Sequence, residues 1–128
     1  MTGSFNVEWL PGGVLLQTRT GTLTVAQAEQ YVAAVKLEVA KAPSPWGAVI
    51  DTRGAAAQSE EVQEVIQRLI KFVVAHKVAR IAMVSTSAIT AMQQRRVTTA
   101  PGMHDPSTVS FHQDLDEAVA DVRGALTK

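Results

Sequence analysis

The 128-residue sequence has no cysteine. That single absence removes disulfides, thiolate zinc sites, iron–sulfur clusters and cysteine nucleophiles together. Aromatic residues make up only 5%, and the 5 prolines and 8 glycines are spread as punctuation between elements, without a linker, a repeat or a low-complexity tract. No charge of one sign dominates, because 12 Lys plus Arg stand against 12 Asp plus Glu. A neutral chain has no long-range field to draw in nucleic acid or an anionic bilayer, which need basic side chains clustered on one face. No window approaches the roughly 18 apolar residues of a membrane-spanning helix, and Met1–Asn6 lacks a basic region followed by an apolar run. These absences predict a soluble cytoplasmic protein of bacterial character, with no membrane span, no nucleic-acid partner and no cofactor.

What the chain does have is apolar side chains, 46% of the total, enough for one domain over residues 1–128 that buries roughly two thirds of the surface its unfolded form exposes. Phe5, Val7 and Trp9 alternate with Asn6 and Glu8, and Pro11-Gly12-Gly13 turns the chain into Val14–Thr20, which predicts a β-hairpin. Thr24 is placed as an N-cap, and Val25, Ala28, Val32, Val35 and Val39 form a helical stripe ending before Pro43-Ser44-Pro45. Trp46–Ile50, ending in Asp51, and Ile81–Val84, ending in Ser85-Thr86-Ser87, are continuous apolar runs of the kind covered on both faces.

Between those runs, Val62, Val65, Ile66, Leu69, Ile70 and Val73 mark a second helix, with Ser59 as cap and Glu60 and Glu61 where the helix dipole favours acids. A third helix runs from about Ala88 through Ile89, Met92 and Val97, with Met92 assigned to its core stripe and Gln93, Gln94, Arg95 and Arg96 to its polar side. Thr99–Ser107 is turn-rich and predicts a surface loop. Val109 and Phe111 alternate with Ser110 and His112 as a half-exposed edge strand, and Leu115, Ala118, Val119, Val122 and Leu126 form a last helix capped by Asp114 or Asp116. The order β-β-α-β-α-β-α-β-α predicts an α/β fold with a mixed, mostly parallel sheet, since parallel neighbours need crossover connections.

That order, the Val49-Ile50-Asp51-Thr52-Arg53-Gly54 stretch and the terminal Val109–Ala118 segment together resemble the STAS family, the fold of SpoIIAA-type anti-sigma-factor antagonists, and more narrowly the divergent SpoIIAA-like proteins. The resemblance spans nearly the whole chain and rests on element order and short strings. In signalling members an Asp-Ser pair opens the helix after the strand ending in Asp, and the Ser is phosphorylated by a partner kinase. The family spacing counted from Asp51 lands on Ser59 and Glu60, so the pair here is Ser-Glu. A carboxylate then replaces the phosphorylatable hydroxyl, unless a slip of one residue puts Ser59 itself at the switch position.

In such a sheet, partners and ligands meet the carboxyl ends of the parallel strands. Two loops are expected there side by side: Asp51, Thr52, Arg53 and Gly54 leading to Ser59 and Glu60, and Ser85, Thr86 and Ser87. With Arg95 on the rim they are candidates for binding a partner or an anion, while the commoner role of such hydroxyls is capping and local backbone bonding. His76, His104 and His112 fall in separate elements, which gives no metal site. His104-Asp105 are adjacent and poorly placed for acid–base work, and no nucleophile elbow, P-loop or dinucleotide fingerprint is present.

The resemblance implies a non-enzymatic regulatory module that binds a protein partner. The alternative is a carrier of a small ligand, a lipid or nucleotide, as in SpoIIAA-like relatives similar to CRAL-TRIO domains. An exposed edge strand over Thr108–His112 also leaves a homodimer open. All of this requires Ile50 and Val84 to be neighbours in one buried parallel layer.

Overall fold

The computed structural model describes residues 3–98 and 108–127. The expected loop over Thr99–Ser107, with Met103, His104 and Asp105, and the side chain of Val97 lie outside the described residues. The elements follow the expected order: β1 (Ser4–Leu10), β2 (Val14–Gly21), α1 (Val25–Val39), β3 (Gly47–Ala55), α2 (Glu60–Ala75), β4 (Ile81–Val84), α3 (Ala88–Thr98), β5 (Val109–His112) and α4 (Leu115–Leu126). They build a five-stranded sheet in the order β1-β2-β3-β4-β5. The opening hairpin is antiparallel, and every later pairing is parallel. The hairpin turn needs glycine, because Gly12 and Gly13 sit at φ +91° and +83°, a region that side chains with a Cβ avoid.

Strand alternation divides the core in two. Leu15, Ala48, Ile50, Ile81 and Met83 face a large cluster with Tyr31 and Val35 of α1 and Val62, Val65, Ile66, Leu69, Ile70 and Val73 of α2. Val14, Leu16, Val49, Ala82 and Val84 face the opposite way, against Ala118 and Val122 of α4. The sheet is thus covered on both faces, as the continuous apolar runs implied. Helix starts follow the capping chemistry read from the sequence. Thr24 accepts from the Gln27 N–H in a reciprocal capping box, Ser59 accepts from Val62 N–H, and of the two acids considered for α4 it is Asp114 that caps.

Ile50 and Met83 are partners in the β3–β4 ladder, as are Asp51 and Val84, so the two polar segments leave the sheet side by side. Four expectations need correction. Asp51-Thr52-Arg53-Gly54 is not a loop: β3 continues to Ala55, pairing with Thr20 and Gly21 of β2 after β4 has ended. The sheet has two edges, β1 as well as β5. In α1, Tyr31 is buried and Val25 is 39% exposed, because the stripe that meets the sheet runs through Ala28, Tyr31, Val35 and Val39.

The largest correction concerns α3. Met92 is 70% and Ile89 59% exposed, while Thr90 and Gln94 are buried. The helix turns polar side chains inward because its inner neighbour is polar: Gln94 Nε2 donates to Thr52 Oγ1 at 2.7 Å, and that hydroxyl donates to Val84 O at 2.8 Å.

Candidate functional site

The residues following β3 and β4 were expected to form one surface, and the structure distributes them over five environments. Ser85, Thr86, Ser87 and Arg95 come together, lining an open groove of about 470 Å³ with Ala91, Phe111 and His112. Ser85 N–H continues the ladder to His112 O at 3.0 Å, and Ser87 Oγ accepts from Thr90 N–H at 3.4 Å as the cap of α3. The Arg95 guanidinium stacks 4.7 Å from the Phe111 ring centroid, so one wall is cationic and aromatic. Phe111 and His112 escaped the sequence reading of this site because their alternation marked only an edge strand.

Asp51 and Arg53 face away from this groove's α3 wall, toward the start of α4. Arg53 donates through Nε at 3.0 Å and Nη2 at 2.9 Å to the two carboxylate oxygens, and its backbone N–H adds a third bond at 3.1 Å. Burial raises the Asp51 pKa, but these three bonds outweigh it and hold the carboxyl below its ordinary value. Asp51 in turn raises the Arg53 pKa through the same bonds, with smaller contributions from Asp114 and Asp116. The Arg53 side chain, 43% exposed, is therefore committed to Asp51, which reduces what it offers an incoming anion.

Thr52 points the other way, into the interior between β3, β4 and α3. Gly54 packs against Thr20 within the ladder. Ser59 and Glu60 stand exposed at the start of α2, with the Ser59 hydroxyl occupied as cap, and Glu60 lines a shallow depression shared with Arg96. Neither lines the Ser85–Ser87 groove.

A cluster the sequence reading did not assemble lies on the α4 face. Asp121 accepts from Ser110 Oγ at 2.6 Å and from Arg80 Nε and Nη2 at 3.0 and 3.2 Å, and His112 Nε2 stands 2.9 Å from Ser110 Oγ. Burial raises the Asp121 pKa, and the bonds from Ser110 and Arg80 more than reverse it, leaving the carboxyl depressed. Serine, histidine and aspartate meet here, but not as a nucleophilic relay. Both Ser110 and Asp121 lie at the same ring nitrogen, Nε2, where a relay would place them on opposite ones, and Ser110 gives its proton to an aspartate already paired with Arg80. The signal was the i, i+2 pair Ser110 and His112 on β5 facing Asp121 of the next helix, legible only once the strand is docked under α4.

Among the described residues, no group of three or more His, Asp or Glu is arranged to hold a metal ion, and no helix is long and apolar enough to cross a membrane.

No protein-family model matches the chain, and no curated protein matches it by sequence. Solved structures do. An uncharacterised protein with a SpoIIAA-like fold from Shewanella loihica shares 18% identity, over 94% of this chain and 93% of its own, with a TM-score of 0.64. An anti-sigma factor antagonist from Mycobacterium paratuberculosis shares 18% identity, over 94% of both chains, with a TM-score of 0.67. The chain therefore has the SpoIIAA-like fold that its element order resembled.

Proposed function

We propose that the protein is a non-enzymatic regulatory module that binds a partner protein through α3 and the groove beside it. One observation carries this reading: α3 exposes Ile89 and Met92, one turn apart, while burying Thr90 and Gln94. Helices on a sheet ordinarily do the reverse, and an apolar pair held out in water marks an interaction surface. The groove lined by Ser85, Thr86, Ser87, Arg95 and Phe111 runs along the same helix, adding hydroxyl donors and a stacked cation to an apolar ridge. The antagonist of anti-sigma factor that shares this fold supports the protein-binding class. Ser59 acts in this reading as a helix cap and Glu60 as the fixed charge beside it.

The test places a photo-crosslinking amino acid at Met92 in living cells, with a second at Leu37, which is 66% exposed on α1, as the control. The reading expects one discrete adduct from position 92 that is absent from position 37 and lost when Ile89 is changed to Glu. Equal adducts from both positions, or none from position 92, overturn it. An adduct of twice the chain mass identifies the partner as a second copy.

A further inference from the structure

β1 is an edge of the sheet, paired among the described residues only with β2, and the ladders fix where its backbone groups point. Gly47 N–H donates to Gly13 O at 3.0 Å, so Gly13 turns its carbonyl toward β3. Successive residues of a strand turn their backbone groups to opposite neighbours. Leu15 and Gln17 therefore serve β3, while Val14, Leu16 and Thr18 serve β1. Their partners Leu10, Glu8 and Asn6 direct their N–H and C=O groups to β2. The same groups of Phe5, Val7 and Trp9 are then aimed off the edge of the sheet.

Edge strands are normally blunted by proline, lysine, a bulge or short length. β1 has none of these: it runs seven residues, Ser4–Leu10, and its ladder to β2 keeps one register throughout. Phe5, Val7 and Trp9 lie half-buried against the core, while Ser4, Asn6 and Glu8 are exposed on the other face. The edge is also aromatic in a chain poor in aromatics. Phe5 packs 5.5 Å from Tyr31 and Trp9 meets Trp46 edge-on at 6.1 Å. Both tryptophans, the single tyrosine and one of the three phenylalanines thus gather on or just behind β1, and these residue types are enriched at interfaces.

We propose that the β1 edge pairs with the β1 edge of a second copy, antiparallel about a two-fold axis at Val7, joining the two five-stranded sheets into one. A two-fold axis requires a surface that complements itself, and this edge reads the same in both directions: aromatic, Val7, aromatic. Val7 of one chain faces Val7 of the other and exchanges both backbone bonds with it. Phe5 of each chain faces Trp9 of the other, so all three outward-facing residues are satisfied. Each Phe5–Trp9 contact joins the Tyr31 pair of one chain to the Trp46 pair of the other, and aromatic cross-strand pairs stabilise a sheet. On the exposed face Asn6 meets Glu8. Moving the axis to Glu8 sets two carboxylates opposite each other, and moving it to Asn6 leaves Trp9 opposite Gly3.

The helix above the edge permits this approach. Gln27 Nε2 donates to Gly3 O at 2.8 Å, and Lys41 lines a hollow with Trp9 and Leu10, so the flank of α1 between them runs alongside β1. Ala34 stands midway along that flank and is too small to hold the two helices apart. Helical spacing puts Leu37 on the outer side of α1, off this seam. The seam lies at the opposite edge of the sheet from β5 and does not include α3, so its failure leaves the docking reading untouched.

The test measures the mass of the whole chain by sedimentation at micromolar concentration. Wild type is expected at twice the chain mass of 13.7 kDa. Val7→Pro removes an outward N–H and leaves the β1–β2 ladder intact, so it is expected at the single-chain mass with an unchanged circular dichroism spectrum. Should V7P unfold, a second arm decides. Asn6→Cys and Glu8→Cys each add a thiol to a chain that has none, and the two variants mixed and then mildly oxidised are expected to link faster than either alone. Facing residues of a non-hydrogen-bonded pair stand about 4.5 Å apart at Cα, within disulfide reach. A monomeric wild type, a folded V7P that stays dimeric, or mixed cysteine chains that link no faster than either alone overturns the inference.

Discussion

The two faces of this sheet treat buried charge in opposite ways. On the α4 face every charged group described above is met: Asp51 by Arg53, and Asp121 by Arg80 with Ser110. On the α1–α3 face Arg19 lies deeper than any of these and has only an aromatic ring beside it, while Gln17 Nε2 and Gln63 Oε1 are also unmet. The same fold solves one electrostatic problem internally and leaves the other open. The difference teaches where burying charge costs this fold most. Satisfied networks stiffen a structure, whereas a buried polar group held against apolar neighbours and an aromatic ring draws on its stability.

The sharpest way to break this comparison is to remove one acceptor on the satisfied face. Asp121→Ala removes the carboxylate that accepts from the Arg80 guanidinium and the Ser110 hydroxyl, and is expected to cost about 1–3 kcal/mol, read as a lowered urea midpoint at unchanged slope. Arg19→Met is expected to act with the opposite sign, neutral or stabilising by about 1 kcal/mol, because a well-packed apolar chain replaces a lone buried charge. If both variants lose stability alike, the two faces do not differ.

Acid sharpens the contrast next. Asp51 and Asp121 are both held below their ordinary value of 3.8, so across that window the unfolded chain binds more protons than the native one. Their stabilisation is complete above the unfolded pKa and drains as pH falls through the folded one, beginning below about pH 4. Urea midpoints measured downward from neutral pH should show this loss. The double variant Asp51→Asn with Asp121→Asn should flatten it, while Arg19→Met should keep the wild-type slope because arginine does not titrate there. The smallest effect is expected at the surface: Ile89→Glu changes stability by no more than about 0.5 kcal/mol by denaturation, while abolishing the crosslink from position 92.

Particular residues show how much was legible beforehand. The helices at Val25–Val39 and Glu60–Ala75 and the buried strands at Gly47 and Ile81 follow from periodicity and caps, which are local and therefore written in the chain. The end of β3 was hidden because Thr52–Ala55 leave the apolar pattern where β4 stops, yet go on pairing with β2; hydropathy does not register a ladder with a single neighbour. The sense of α3 was hidden for a related reason. Ile89 and Met92 on one side and Thr90 and Gln94 on the other are equally good helical stripes, and the polar floor made by Thr52 selects between them. Of the candidate site, Ser85, Thr86, Ser87 and Arg95 converge on one groove, while Asp51, Arg53, Ser59 and Glu60 were grouped with them by sequence order and are separated by the direction each side chain takes.

Sequence alone determined the element order and the caps of α1 and α2, because each depends on spacing within a few residues of the chain. Only the tertiary structure decided which polar side chains would be shut inside. Gln17 and Arg19 of β2, Tyr31 of α1 and Gln63 of α2 are distant in the chain and unremarkable there. Burial is a property of what packs above a residue, and a charge becomes costly only when neighbours exclude water without replacing it.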